Sequence, residues 1–222
     1  MAAGDAPQPA APPPADGKPT PRELLIWGLL TLFMVVLIGL TVWRRAPRQP
    51  PPPVLGEVPD FTLTDRDGRP FGRSDLSGTP WVADFIFTRC AGICPRVSAR
   101  LERVLRSVPA GALHGVSISV DPQHDTPERL ERYAARFDAP PYWHFLTGPQ
   151  DDVYQLIRTG FKLPVEPSPA ADQALPGEQI LHSNRLVLVD GAGRVRGYYD
   201  SFDDQAVARL LDDLEALARG AP

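Results

Sequence analysis

Residues 81–95 read WVADFIFTRCAGICP, and this stretch decides the fold. Its first seven residues are mostly apolar and β-prone, which predicts a buried strand over Trp81–Phe87. Apolar residues then recur at helical spacing from Val97 to Val108, which predicts a helix. Pro95 suits the first turn of that helix, because an N–H group at this position would have no intrahelical partner. The stretch therefore predicts a strand that passes directly into a helix.

The rest of the chain alternates between the same two kinds of element. Short β-prone runs predict four further strands, at 115–120, 143–146, 185–189 and 195–199. Helical periodicity predicts three further helices, at 126–137, 151–159 and 203–219. A hairpin is expected over 61–71 and a proline-rich loop over 164–178. The order of these elements predicts an α/β domain with a central mixed sheet and flanking helices.

Charge and cysteine content exclude two classes of protein. The 222 residues include 23 basic and 27 acidic side chains, which gives a formal net charge of −4 at pH 7. A nucleic-acid-binding protein needs a clustered surplus of Lys and Arg to neutralise phosphates, and this chain lacks such a surplus. Two cysteines form at most one bridge, so a small fold held together by several disulfides is also excluded.

Residues 24–43 read LLIWGLLTLFMVVLIGLTVW and contain no ionisable side chain. Such a helix, rising about 1.5 Å per residue, matches a hydrocarbon core of roughly 30 Å, which predicts one N-terminal transmembrane helix. Residues 1–23 and 44–57 are rich in proline, which predicts a disordered tail and a linker, and 58–222 form the predicted soluble domain. A buried core helix or a cleaved signal peptide fits less well, because the run is long and proline tracts flank it.

Both cysteines lie where the first predicted strand passes into its helix. Cys90 and Cys94 are separated by three residues, roughly one helical turn, so the thiols can converge on one face. The positive partial charge of a helix N-terminus favours thiolates, and Gly92 permits a tight turn between the cysteines. The pattern predicts a redox or metal-binding dithiol, and the pair alone does not choose between the two chemistries.

A histidine ligand would favour metal binding over redox chemistry. Two thiolates and one imidazole suit Cu(I), whereas structural zinc normally takes four protein ligands. His114 precedes a predicted strand and His144 lies in an apolar run, so both are expected to be structural. His124 is expected on the solvated surface. His182 ends a polar loop directly before a strand, and the residues alone leave its role open.

Three blocks of sequence carry a family resemblance. They read FIFTRCAGICP at 85–95, ISVDPQHDTP at 118–127 and HSNRLVLVDG at 182–191. In this order and spacing they resemble the Sco/SenC family of membrane-anchored copper proteins, and the resemblance extends from about residue 58 to residue 217. It implies a thioredoxin-like fold. It also implies a role in assembling the binuclear copper centre of cytochrome c oxidase, as copper donor, thiol-disulfide reductant or both.

The resemblance implies a ligand set. Cys90 and Cys94 would be paired thiolate ligands and a redox couple. His182 would be the third ligand of a single copper ion, Cu(I) or Cu(II). The protein would then be mainly a metallochaperone, with thiol-disulfide reductase activity as an additional role.

Four other residues in the matching blocks bear on the site. Asp121 and Asp125 match acidic positions of the second block, where turn capping, loop architecture or partner contact is expected rather than ligation. Many family members have Pro-Asp where this chain has Ala91-Gly92, so one negative charge near the thiols is missing. The copper affinity and reduction potential are therefore expected to differ from those of such members.

Partners and location also follow from the resemblance. The expected partner is the copper-receiving subunit of cytochrome c oxidase, together with other copper chaperones or thiol reductases. Family members imply a single-pass protein of the bacterial inner membrane with its soluble domain in the periplasm. Two basic residues precede the apolar run and three follow it, so the positive-inside rule alone would weakly favour the opposite orientation.

Two alternative functions use the same residues. A thiol-disulfide oxidoreductase or peroxiredoxin-like peroxidase would use Cys90 to attack and Cys94 to resolve, without metal and without His182. A sensory module would report copper or redox state through its anchor. The peroxidase would differ from a copper protein in consuming peroxide at enzymatic rates and in holding no copper after reduction.

Overall fold

The computed structural model describes residues 20–45, 50–90, 92–167, 180–181 and 184–220. The chain divides into two units, Met1–Arg48 and Gln49–Pro222. The predicted tail before residue 20 and residues 46–49 of the predicted linker lie outside the described residues. The two units are described separately below.

In the first unit, helix α1 spans Pro21–Arg45. A reciprocal capping box sets its start: Thr20 N–H donates to the Glu23 carboxylate at 2.8 Å, and Glu23 N–H donates to the Thr20 hydroxyl at 3.3 Å. The segment Pro21–Thr41 is long and apolar enough to cross a membrane, judged by length and composition. It overlaps the predicted span over 24–43, and the capping box explains why the helix begins earlier.

The second unit consists of strands and helices in alternation. Its strands are β1 (Gly56–Glu57), β2 (Thr62–Asp65), β3 (Pro70–Gly72), β4 (Trp81–Ile86), β5 (His114–Ser119), β6 (Trp143–Thr147), β7 (Glu166–Pro167), β8 (Ile180–Leu181), β9 (Arg185–Val189) and β10 (Arg194–Asp200). Its helices are α2 (Ile93–Arg106), α3 (Pro127–Ala135), α4 (Gln150–Gln155) and α5 (Asp204–Gly220). A 3₁₀ turn spans Arg73–Leu76 and a π-helical turn spans Leu156–Gly160.

The main sheet is mixed, as predicted. Its strand order is β1-β10-β9-β4-β5-β6-β2-β3, in which β4, β5 and β6 are parallel neighbours and the other pairs are antiparallel. All six residues of β4 are buried, so both faces of the sheet are covered at its centre. Helix α2 packs on β4 and β5, α3 on β6 and α5 on β10. The predicted α/β class with flanking helices is confirmed.

The predicted strands and helices are present, with most ends within two residues of their predicted positions. The predicted helix over 151–159 is wrong in its second half. Helix α4 ends at Gln155, and in the following π turn the Phe161 N–H donates to the Leu156 carbonyl, five residues back, at 3.4 Å. The turn packs closely on the preceding loop, because a Cβ on Gly160 would lie 2.9 Å from Pro59 Cδ.

Two short pairings lie in segments predicted to have no regular structure. Strand β1 falls within the predicted linker over 44–57 and pairs with β10, and the nearby Leu55 N–H donates to the Val195 carbonyl at 2.8 Å. Strands β7 and β8 form a separate two-stranded sheet around the predicted proline-rich loop. Two-residue strands are too short to show an alternating pattern, so tertiary contacts alone reveal them.

Candidate metal and thiol site

The dithiol lies at the carboxyl end of β4, where the chain turns into α2. The Cys94 N–H donates to Cys90 Sγ at 3.3 Å, so the first turn of the helix closes around the first cysteine. Cys90 is half-buried, whereas Cys94 is fully buried, and no disulfide joins them in this structure. Pro95 occupies the first turn of α2 as predicted. The structure thus brings the two predicted sulfur atoms together and leaves one of them accessible.

The two thiols have opposite electrostatic environments. The Cys94 thiol donates a hydrogen bond to Cys90, and with the backbone amides of Cys94, Gly92 and Ile93 it lowers the pKa of Cys90 to about 5, although burial opposes the shift. The same hydrogen bond and burial strongly raise the pKa of Cys94. At neutral pH the pair therefore holds one thiolate, at Cys90, and one thiol. This arrangement supplies a nucleophile and a first soft metal ligand.

Asp125 fixes the loop that precedes the dithiol. Its carboxylate accepts hydrogen bonds from Thr88 N at 3.0 Å, from Thr88 Oγ1 at 2.6 Å and from Ser119 Oγ at 2.6 Å. Asp121 accepts from Arg89 Nη2 at 2.7 Å. The two aspartates thus join the end of β5 to the residues directly before Cys90, and the expectation of loop architecture at both positions is confirmed.

A buried carboxyl group lies on β4, four residues before Thr88. Asp84 is fully buried, one of its oxygens accepts from Ser117 Oγ, and Trp143 Nε1 donates to the same hydroxyl at 2.9 Å. Among the described atoms the other oxygen, Oδ2, has no hydrogen-bond partner. Burial raises the pKa of Asp84 to about 7, against the opposing effect of the Ser117 hydrogen bond. The sequence analysis missed this group, although a lone Asp inside the apolar run WVADFIF was its signal.

The candidate histidines are distributed over both ends of the sheet. His182 lies outside the described residues, so its predicted place beside the dithiol stays a prediction. His124 is exposed, with Nδ1 3.2 Å from Asp121 Oδ1. His114 and His144 contact each other at the amino end of β5, away from the cysteines. Within the described part of the chain no group of three or more His, Cys, Asp or Glu side chains is arranged to hold a metal ion.

The unequal pKa values predict selective alkylation. In the native chain, iodoacetamide is expected to modify Cys90 with a rate that rises through a midpoint near pH 5, because the thiolate is the reacting form. Cys94 should stay unmodified at pH 7, since it is buried and protonated. Mass spectrometry of digested protein locates the label, and a denatured sample labelled at both positions is the control. Equal labelling of both cysteines, or a midpoint near the ordinary value for Cys of about 8.5, would contradict the assigned environments.

Comparison with known proteins finds a protein family and several solved structures that are similar to this chain. A family model described as SCO1/SenC matches residues 52–219. The "SCO1 protein homolog" of Bacillus subtilis is 29% identical over 193 residues, which cover 85% of this chain and 93% of the homolog. BsSco, described as a member of the Sco family of cytochrome c oxidase assembly proteins, superposes with a TM-score of 0.67 at 28% identity, covering 78% of this chain and all of that one. ScoI of Bradyrhizobium japonicum with copper bound superposes with a TM-score of 0.60 at 26% identity, covering 72% of this chain and 99% of that one. The thioredoxin-like fold implied by the sequence is thereby confirmed.

Proposed function

Because the chain belongs to the SCO1/SenC family, whose model matches residues 52–219, we propose that it is a membrane-anchored copper chaperone that helps to assemble the binuclear copper centre of cytochrome c oxidase. Two similar proteins support this proposal: BsSco, a member of the Sco family of cytochrome c oxidase assembly proteins, and ScoI of Bradyrhizobium japonicum, whose structure has copper bound. The observation that carries it is the close approach of the two cysteines at the start of α2, where the backbone N–H and the thiol of Cys94 both donate to Cys90 Sγ.

The donor chemistry of the dithiol fits a soft metal ion. Cys90 is a thiolate at neutral pH and offers a ligand without losing a proton. Cys94 shares its proton with Cys90, and a metal ion that binds between the sulfurs takes the place of that proton. Copper is then the cargo, held by two thiolates that favour a soft ion and passed to the recipient by ligand exchange at the exposed side of Cys90.

The sheet register supports His182 as the third ligand. Strand β9 is antiparallel to β4, with Ala83 opposite Val187, so the start of β9 lies at the end of β4 from which Cys90 follows. Asn184, directly before β9, is held there by a hydrogen bond from its Nδ2 to Asp200 Oδ1 at 3.0 Å. Two residues of chain reach at most about 7 Å, so the chain that carries His182 joins β9 at the end of the sheet from which Cys90 follows, which supports the proposal.

Replacing His182 by Ala is expected to weaken Cu(I) binding to the reduced full chain at least tenfold, because one of three ligands is lost. Competition with a chromophoric Cu(I) chelator measures the affinity. His124→Ala is the matched control, since His124 is an exposed histidine paired with Asp121, and it should leave the affinity unchanged. Unchanged affinity in the His182 variant would remove this residue from the ligand set.

Thiol-disulfide exchange is the second candidate function, and the unequal pKa values favour it. The Cys90 thiolate would attack one sulfur of a partner disulfide and release the other as a thiolate, forming a mixed disulfide. Cys94, once deprotonated, would attack Cys90 Sγ, which releases the reduced partner and leaves a Cys90–Cys94 disulfide. A reduced chain that reduces disulfides but holds no copper would favour this function over the first.

We further propose a single-pass topology in a bacterial inner membrane, with α1 as the anchor and the second unit in the periplasm. The apolar segment Pro21–Thr41 supports the anchor. The copper-receiving oxidase subunit is the proposed recipient, and other copper chaperones or thiol reductases would supply metal and electrons. Enzymes fused to the C-terminus test the topology: alkaline phosphatase should be active and a cytoplasm-only reporter inactive.

A further inference from the structure

Two histidines outside the dithiol site contact each other at the opposite end of the sheet. His114 opens β5, and His144 lies in the neighbouring parallel strand β6. Nδ1 of His114 is 3.1 Å from Nε2 of His144, and the stacked rings have their centroids 5.2 Å apart. His114 pairs with Trp81 at the beginning of β4, whereas Cys90 follows the end of that strand. The length of β4, roughly 20 Å, therefore separates this pair from the dithiol.

The spacing of the two nitrogen atoms suits neighbouring ligands of one metal ion. Two imidazole nitrogens at about 2.0–2.1 Å from a metal, with an angle of about 90–110° between them, lie roughly 2.8–3.4 Å apart. The observed 3.1 Å falls within this range. A hydrogen bond between the two rings uses the same atoms, with one nitrogen as donor and the other as acceptor. A metal ion can take the place of the bridging proton, which moves to the second nitrogen of its own ring.

Both rings are in the protonation state that metal binding needs. Burial lowers the pKa of His114, and burial, His114 and the Arg66 guanidinium together lower the pKa of His144 to about 4. The rings are therefore neutral at pH 7. Asp65 and Asp75 act on His144 in the opposite direction and attract a cation, whereas Arg66 repels it. The charges around the pair are thus mixed and do not exclude a divalent ion.

A cleft gives an ion from solution access to His144. It has a volume of about 330 Å³ and is lined by His144, Asp65 and Asp67 together with Phe71 and neighbouring residues. The Phe71 ring lies against His144, with centroids 4.4 Å apart, and limits rotation of the imidazole. The cleft therefore offers a fixed nitrogen ligand, negative charge nearby and room for water.

The geometry points to a second metal site, in which His114 Nδ1 and His144 Nε2 hold one divalent transition-metal ion whose remaining positions are taken by water. Imidazole nitrogens favour borderline ions, and among the divalent first-row metals Cu(II) binds such ligands most tightly. The site shares no residue with the dithiol. The result of a test of this site is therefore independent of whether the proposed function is correct.

A Cu(II) titration of the full chain in detergent micelles tests this site. The background variant carries Cys90→Ser, Cys94→Ser and His182→Ala, which removes the proposed dithiol site. We expect one Cu(II) to bind, with electron paramagnetic resonance showing two coupled imidazole nitrogens. Adding His114→Gln or His144→Gln should weaken binding at least tenfold and leave at most one coupled nitrogen.

His124→Gln in the same background is the matched control, because His124 is exposed and lies away from the pair, and it should not change the affinity. If one glutamine variant fails to fold, the other variant still tests the site. The number of imidazole nitrogens coupled to Cu(II) in the background variant, in which both histidines are present, provides a second test. A background chain that binds no Cu(II), or one that binds it equally well after either histidine is replaced, overturns the proposal.

Discussion

Replacing Asp84 by Asn is expected to raise the free energy of unfolding by about 4 kcal/mol above pH 8. The reason is that the variant removes the desolvation cost of burying an ionised carboxylate in the folded chain. Burial raises the pKa of Asp84 to about 7, roughly three units above the unfolded value of about 4. Asn keeps an acceptor oxygen for Ser117 Oγ and carries no charge at any pH. The corresponding rise in Tm is about 10 °C for a domain of this size.

The sign of the pH dependence follows from proton binding. Between pH 4 and pH 7 the unfolded chain has released the Asp84 proton while the folded chain retains it, so the contribution of this group to stability falls as pH rises. The variant and the natural chain should therefore have similar stability near pH 4 and diverge up to about pH 8. Taking the difference between the two profiles cancels the titration of other groups, including His114 and His144.

Asp125→Asn is the matched control, because Asp125 is equally buried but accepts three hydrogen bonds. Replacing one of its acceptor oxygens by an NH₂ donor should destabilise the fold by about 1–3 kcal/mol. Denaturant unfolding of the full chain in detergent, from pH 4 to pH 8.5, measures both variants. Parallel profiles for the Asp84 variant and the natural chain would show that Asp84 is ionised in the folded state throughout this range.

The second large effect is expected at Cys94. Structural zinc sites with four protein ligands gain about 10–16 kcal/mol, or about 3–4 kcal/mol per ligand, and on this scale losing one thiolate costs about 4 kcal/mol, or about three decades in Kd. Cys94→Ala should therefore weaken Cu(I) binding about a thousandfold. The same variant should raise the pKa of Cys90 from about 5, because the thiol that donates to it is gone.

Ser98→Ala is a suitable control for this variant. Ser98 lies one turn further along α2, is buried and contacts the Tyr133 hydroxyl at 3.0 Å, so its loss perturbs the same helix without removing a sulfur. Chelator competition and the alkylation profile together measure both effects. If Cys94→Ala keeps its Cu(I) affinity within a few-fold, the second sulfur is not a ligand, and the metal is held elsewhere.

Periodic patterns made most of the fold predictable from the sequence. The run WVADFIF and the helical spacing after Pro95 were enough to predict β4 and α2, because burial of one strand and one helix face dictates those patterns. The π turn after Gln155 was missed, since a helix and a π turn have similar local patterns and close packing on Pro59 accompanies the change. Strand β1 was missed because it is defined only by its pairing with β10.

The site was predictable where its residues are close in sequence. Cys90 and Cys94 are four positions apart, and the turn that leads into α2 brings the Cys94 N–H to 3.3 Å from Cys90 Sγ, so their closeness in sequence was enough to predict the pair. His114 and His144 are 30 positions apart, and only the register of β5 and β6 reveals their contact. The lone Asp in the run WVADFIF indicates a buried carboxyl group, but its hydrogen bond with Ser117 depends on the register of β4 and β5. The register between neighbouring strands, which the sequence does not give, was thus needed to predict these contacts.

Copper K-edge X-ray absorption of the reduced full chain, loaded with one equivalent of copper, tests the ligand set most directly. We expect two sulfur ligands and one imidazole nitrogen, and in His182→Ala we expect the nitrogen to be lost while both sulfurs remain. A spectrum unchanged by His182→Ala, or a first coordination shell without two sulfurs, would contradict the proposal that Cys90, Cys94 and His182 hold the copper ion.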